Sequence, residues 1–134
     1  MAMVAMAVTM DHAGMTRSLA EELAAAAGTA FPLISPFIRA LGAFMTGSNA
    51  NSNVIFGALQ DRAARLLSLN PAIILAVQTT GGAIGGAFAP AKIIIGCSTV
   101  GLAGREGEAL MKTMAYGVTI LIGVGLVAWA LAGR

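Results

Sequence analysis

The chain has 134 residues, of which 57% are apolar and only 10% charged, with a net charge of +2. A soluble domain carries about 25% charged residues, so this composition excludes an ordinary soluble fold and points to an integral membrane protein. The cations are scattered singly and aromatic residues make up 5%, which leaves neither a basic patch nor stacking platforms for nucleic acid, and one cysteine, Cys97, excludes an intrachain disulfide or a cysteine-based metal site.

The opening stretch MAMVAMAVTM is apolar but lacks the basic leader and cleavage site of a signal peptide. It is about half the roughly 20 residues a span needs, so it reads as the tail of a helix that begins elsewhere. Residues 11–27, DHAGMTRSLAEELAAAA, predict a short interfacial helix. Thr16 or Ser18 is its expected cap, and Gly28 its stop. The first unit is therefore residues 1–27, a helix end and an interfacial helix.

Residues 28–69 follow, with Pro32 and Pro36 predicted at an entry turn and a helix start. A helix from Pro36 to Thr46 is about 16 Å long, and one from Asn53 to Leu67 about 22 Å. Neither arm crosses a hydrocarbon core of about 30 Å. Between them lies Ser48-Asn49-Ala50-Asn51-Ser52-Asn53, polar and uncharged. Two short arms and a neutral polar tip predict a re-entrant helical hairpin. The charges Asp61, Arg62 and Arg65 come only at the end of the second arm, where it emerges at water.

Residues 70–104 are too long for one upright span, since an unbroken helix of this length measures about 50 Å. Thr79, Thr80, Gly81 and Gly82, then Gly85, Gly86 and Pro90, predict a discontinuous helix with an irregular centre. Such backbone is tolerated at depth only where protein buries it or it lines a cavity. Residues 113–133 carry no charge and match one transmembrane helix of about 31 Å, flanked by Tyr116 and Trp129. The fold class is all-α integral membrane: a re-entrant hairpin, a discontinuous helix and one C-terminal transmembrane helix.

Ser48, Asn49, Asn51, Ser52 and Asn53 are candidate ligand-binding groups, because amides and hydroxyls in lipid must be buried in protein or line a wet cavity. With Ser52 as cap, the second arm's N-terminus also favours an anion, and the set suits a small hydroxy-carboxylate. A plain surface loop is the competing explanation. Gln78 to Gly82 (Gln78, Thr79, Thr80, Gly81 and Gly82), with the glycines to Gly86, form the second candidate, since opened backbone at a helix break presents amides and carbonyls to ligands. Against this, Gly81/Gly85 and Gly82/Gly86 have the spacing of helix-contact pairs. Lys92 is a candidate to balance an anionic substrate, and Asp11 or His12 to exchange a proton; snorkelling and an interfacial turn compete. Arg39 is expected to snorkel or pair outside the site. No residue set supports a metal, a cofactor or an enzymatic nucleophile–base pair.

The segments AGMT, AFPLISPFIRALGAFMTGSNANSNVIFG and QTTGGAIGGAFAPAKIIIGCSTVGLAGREGE together resemble the C-terminal quarter of the L-lactate permease family. The resemblance implies a multi-pass transporter of the plasma (inner) membrane that takes up lactate, and often glycolate, with protons. It implies partners as well: lipids, and either a missing N-terminal part of the permease or further copies of the chain. By position it carries Ser48, Asn49, Asn51, Ser52 and Asn53 onto the family's polar hairpin motif, and Thr79 to Gly82 onto its broken-helix motif. Family members have a dozen or more spans, so the chain is expected to be a piece of a permease or a truncated product. A small non-transporting membrane subunit is the rival expectation.

Overall fold

The computed structural model describes residues 2–132, with the side chains of Met3 and Asn51 excluded. Seven α-helices occur in them: α1 (Ala2–His12), α2 (Met15–Ala27), α3 (Phe31–Thr46), α4 (Asn49–Leu66), α5 (Pro71–Ala87), α6 (Pro90–Thr99) and α7 (Glu106–Ala132). No strand occurs among the described residues. The all-α membrane class holds.

Gly14, left-handed at φ 75°, turns the chain from α1 into α2 and stands at the cap position. The expected caps serve otherwise: Thr16 is buried, and Ser18 Oγ donates to the Gly14 carbonyl at 3.3 Å. Thr16, Ala20 and Ala24 recur at helical spacing and form the buried stripe of α2. Ala20 joins Phe31, Leu59, Ala63, Ala64, Ile74 and Ala132 in one apolar core that ties together α2, α3, α4, α5 and α7.

Pro36 lies inside α3 instead of starting it, a correction to the sequence expectation. Pro32 takes the start, where a missing N–H costs nothing, and the helix runs on through Pro36 because α5 packs against that turn. At 16 residues α3 is about 24 Å long, still short of a hydrocarbon core. The stretch Met15–Thr46 is long and apolar enough to cross a membrane only with α2 and α3 taken together, and Gly28 at φ 48°, ψ −129° interrupts the helix between them.

Gly47, at φ 65°, ends α3, and α4 begins at Asn49. The polar tip is thus mostly helix: Ser52 N–H already donates to the Ser48 carbonyl at 3.2 Å. Ser52 sits in the first turn and is not the cap expected from sequence. Ser35 pairs with Gln60, and Gly42 faces Ser52 and Phe56, so α3 and α4 lie antiparallel.

The second correction concerns α5. It is continuous through Thr79, Thr80, Gly81 and Gly82, and the break falls at Phe88–Ala89 with a bend of 46°. Glycine lowers helix propensity, but here packing decides. A Cβ on Gly81 would collide with the Pro36 carbonyl, and one on Gly85 with the Ala40 carbonyl. Those pairs step in the same direction along both helices, so α3 and α5 run parallel at backbone contact. Pro90, which lacks an N–H and drives Ala89 to extended geometry (φ −58°, ψ 135°), supplies the true stop. Asn70 caps α5 by accepting from Ala72 N–H at 3.0 Å.

The segment Glu106–Ala132 is long and apolar enough to span by itself, and the bent pair α5–α6 passes the same test jointly. The span expected over 113–133 thus begins seven residues earlier, and residue 133 is outside the described residues. Gly117 of α7 receives the ring of Phe88, and Gly125 receives Leu33 of α3.

Candidate functional site: a buried arginine beneath the hairpin tip

A stripe of small and polar residues runs down α3 at Pro32, Ser35, Arg39, Gly42 and Thr46, the three- and four-residue steps of one helix face. Opposite it, Asn49, Ser52 and Asn53 share one face of α4's first turns. The third wall is α5, where Gln78, Gly81, Gly82 and Gly85 are buried. The sequence places neutral groups on all three walls and a single charge among them.

That charge is Arg39, with no exposed surface. Its Nη2 donates to the Asn49 carbonyl at 2.7 Å, to Asn49 Oδ1 at 3.0 Å and to Asn53 Oδ1 at 2.7 Å. Gln78 Nε2 of α5 donates to the same Asn53 oxygen at 3.3 Å. The expectation that Arg39 snorkels or pairs outside the site is wrong. Its reach is turned inward because Gly82 offers no side chain: a Cβ there would meet Asn49 Oδ1 and stand 3.1 Å from the guanidinium carbon.

The cluster is incompletely satisfied. Arg39 Nε and Nη1, Ser52 Oγ and Gln78 Oε1 are buried without a hydrogen-bond partner. An unmet buried polar group costs about 1–3 kcal/mol, more for a charged one. Among the described residues no carboxylate lies within ion-pair distance of Arg39; the five ion pairs present join other groups. One turn away, Ser35 Oγ donates to Gln60 Oε1 and Gln60 Nε2 returns a bond to the Ser35 carbonyl at 3.1 Å. That reciprocal pair is closed and pins α3 to α4.

Of the tip candidates, Asn49 and Asn53 converge on Arg39, while Ser52 is buried with its hydroxyl against Gly42 of the same α3 face. Ser48 precedes α4, and its carbonyl accepts the Ser52 N–H. The side chain of Asn51 is outside the described residues. Gly81 and Gly82 face α3 and the tip, but as close-packing positions and not as opened backbone. Thr79 and Thr80 are exposed, their hydroxyls donating to the Leu75 and Ala76 carbonyls at 2.8 and 3.0 Å. Thr79 touches the cluster only through Gln78 Nε2, at 3.5 Å.

Lys92 is exposed at the start of α6, yet its Nζ reaches back to within 3.6 Å of the Cβ position of Gly86. That is one helical turn, about 5.4 Å, past Gly82 on the same face. Asp11 and His12 are not brought to the cluster. Asp11 lies 3.6 Å from Arg62, more than three turns along α4 from Asn49, and His12 Nδ1 is 2.9 Å from the Val8 carbonyl. At that same end Asp61 bonds Arg65 Nε at 2.9 Å and raises its pKa, first through the hydrogen bond and then through its charge.

Sequence reasoning placed Arg39 outside the site and reached Gln78 only as the first residue of the Gln78–Gly82 segment, for its backbone and not for its side chain. The signal was present as the 32-35-39-42-46 stripe. A charge in the middle of a small-residue helix face belongs to a helix contact, whereas a snorkelling arginine stands on a lipid-facing stripe.

The model of the family described as L-lactate permease matches residues 1–133. The chain is 34% identical over 124 residues to the glycolate permease of Escherichia coli K12, covering 92% of this chain and 22% of that one. It is 37% identical over 123 residues to the L-lactate permease of the same organism, covering 90% and 22%. With the L-lactate permease of Bacillus subtilis it shares 33% identity over 119 residues, covering 89% and 21%. The chain thus spans about a fifth of the length of these relatives. No solved structure matches it. The relatives are permeases by name and not enzymes, and with the apolar helices they make this a multi-pass protein of the plasma membrane. A helical membrane chain with a polar tip folded over a buried cation, matched by the family model almost end to end, belongs to the L-lactate permease family.

Proposed function

We infer that the chain forms part of a permease that carries lactate, and also glycolate, across the plasma membrane together with a proton. The observation that carries this reading is Arg39: a cation buried beneath a charge-free polar tip, with no carboxylate of the described residues beside it. An intramembrane charge defaults to function, and a lone buried guanidinium calls for an anion. The names of the relatives supply the anion's class, a small 2-hydroxy carboxylate. Symport follows from charge, since a carboxylate moving with one proton crosses the low-dielectric core as a nearly neutral pair.

In this reading α3 and α4 form a re-entrant hairpin whose tip, Ser48 to Asn53 with Asn51 included, closes over substrate against Gly81 and Gly82. The N-terminus of α4 adds its dipole to the anion's binding. Lys92, one turn beyond Gly82, adds positive potential. Asp11, beside Arg62, and His12 are outside the binding cluster. The proton is carried by a group beyond α3, α4 and α5. The remaining spans, supplied by further polypeptide, complete the pathway.

The test is uptake of labelled L-lactate into proteoliposomes containing the full permease under an inward proton gradient. Saturable uptake, competed by glycolate and collapsed by a protonophore, is the expected result. Uptake insensitive to the gradient removes the symport part of the reading. Absence of uptake, with binding of neither acid, removes the whole of it.

A further inference from the structure

We propose that the buried cluster divides recognition of a 2-hydroxy carboxylate between two helices: Arg39 of α3 holds the carboxylate, and Gln78 of α5 reads the 2-hydroxyl. The proposal rests on the permease reading above and assigns that site's anchor and its specificity residue. It starts from the four side-chain atoms left without partners. Three of them are donors or donor-capable: Arg39 Nε, Arg39 Nη1 and Ser52 Oγ. The fourth, Gln78 Oε1, is only an acceptor.

Their chemistry matches one ligand class. An ionised carboxylate only accepts, so it suits the guanidinium N–H groups and the serine hydroxyl. It cannot satisfy Gln78 Oε1, which needs a donor. A hydroxyl on the neighbouring carbon is such a donor. Arg39 Nη2 and Gln78 Nε2 both donate to Asn53 Oδ1, at 2.7 and 3.3 Å, so guanidinium and amide stand side by side across one oxygen. A carboxylate and a 2-hydroxyl are likewise one carbon apart. The tip amides fix the guanidinium through Nη2 alone and leave Nε and Nη1 for the anion.

An aspartate or glutamate elsewhere in the permease is the other source of a carboxylate for Arg39. It would satisfy the guanidinium and leave Gln78 Oε1 without a donor. Arg39 has no exposed surface, so substrate reaches it only when the tip lifts from α5.

The experiment uses the full permease in proteoliposomes, with L-lactate uptake competed by propionate, which lacks the hydroxyl, and by lactamide, which lacks the charge. In the unaltered protein lactamide competes at least a hundredfold more weakly than lactate, and propionate about tenfold. Arg39→Lys keeps a cation but not the planar donor set, and raises KM for lactate and the competing concentration of propionate together, at least tenfold. Gln78→Met, close in volume, leaves propionate competition unchanged and abolishes the preference for lactate over propionate. Both variants are compared with the parent for ligand-free thermal unfolding and for lactate-induced stabilisation. A protein carboxylate as partner instead predicts lowered ligand-free stability in Arg39→Lys with KM unchanged, and that result overturns the proposal. Should Arg39→Lys not reach the membrane, Gln78→Met decides: an unaltered lactate-to-propionate preference overturns the proposal. If the unaltered permease moves no 2-hydroxy acid, the permease reading itself fails, which is distinct from lactate transport that ignores both substitutions.

Discussion

Gly85 of α5 and Gly123 of α7 both interrupt apolar helical sequence, and their surroundings have nothing in common. Gly85 lies so close to the backbone of Ala40 that a Cβ would strike its carbonyl, whereas a Cβ on Gly123 would meet nothing within 4 Å. The α3–α5 seam uses small residues to bring two backbones together and to make room for a guanidinium beside Gly82. Along α7, Met111, Tyr116, Ile120, Val127 and Trp129 are more than half exposed; Gly117 receives the Phe88 ring, and Gly125 alone of these glycines approaches backbone, at the Leu33 carbonyl. One glycine-rich composition therefore builds a backbone-to-backbone seam beside a polar cluster in one place and a largely exposed apolar face in the other. The two are told apart by what stands opposite each glycine.

The strongest way to break that contrast is Gly85→Ala. The added carbon meets backbone, which cannot rotate aside, so the seam must open at a cost of about 3 kcal/mol, the upper end for overpacking. Thermal unfolding of the detergent-solubilised permease checks this; an unchanged midpoint would show that α3 and α5 are not in backbone contact. Gly86→Ala is the neighbouring control. Its Cβ meets only Lys92 Nζ at 3.6 Å and Ala43 Cβ at 3.9 Å, ordinary contact distances, and stability holds within about 0.5 kcal/mol.

Next in size is the closed pair Ser35–Gln60. Replacing Gln60 by Leu leaves the Ser35 hydroxyl without its partner among apolar neighbours and costs about 1–3 kcal/mol. The double replacement Ser35→Ala with Gln60→Leu removes the hydroxyl along with its partner and recovers part of the loss. A double replacement as destabilised as the sum of the single ones would mean the two side chains act independently.

How much of this was legible in the sequence differs between the regions for the same reason. A span of the α7 kind is specified locally: an uncharged stretch of membrane length needs no partner to be recognised. Its lower end was missed because Glu106 and Glu108 look like loop residues, although acidic groups in a first turn favour a helix. The seam is specified by tertiary contact. Thr79 to Gly82 read as a break because glycine weakens an isolated helix, and only Pro36 and Ala40 across the seam explain why it does not here. Pro36 was misplaced for the mirror reason. Asn49, Ser52 and Asn53 were legible as polar groups needing burial, but not as a helix face, because the helix was started four residues late. Had it been started at Asn49, their spacing would have put all three on one face toward α3, and Arg39 was the only cation on the facing stripe.

Gly82→Ala sharpens the comparison at its most delicate point, with an effect on stability smaller than that of Gly85→Ala. The new methyl group meets Asn49 Oδ1 and the Arg39 guanidinium, the ends of two side chains and not backbone. Both can shift by a fraction of an ångström, so unfolding moves by about 1 kcal/mol, the lower end for overpacking. What cannot be preserved is the geometry of Arg39 Nη2 on Asn49, held at 2.7 and 3.0 Å. If the tip and the guanidinium form the anion site, KM for lactate rises severalfold while ligand-free stability barely changes. The corresponding change in α7, Gly117→Ala, meets the Phe88 ring and reverses the pattern, lowering stability with KM untouched. A Gly82→Ala permease whose KM stays at the parent value would reduce the cluster to a structural joint between helices.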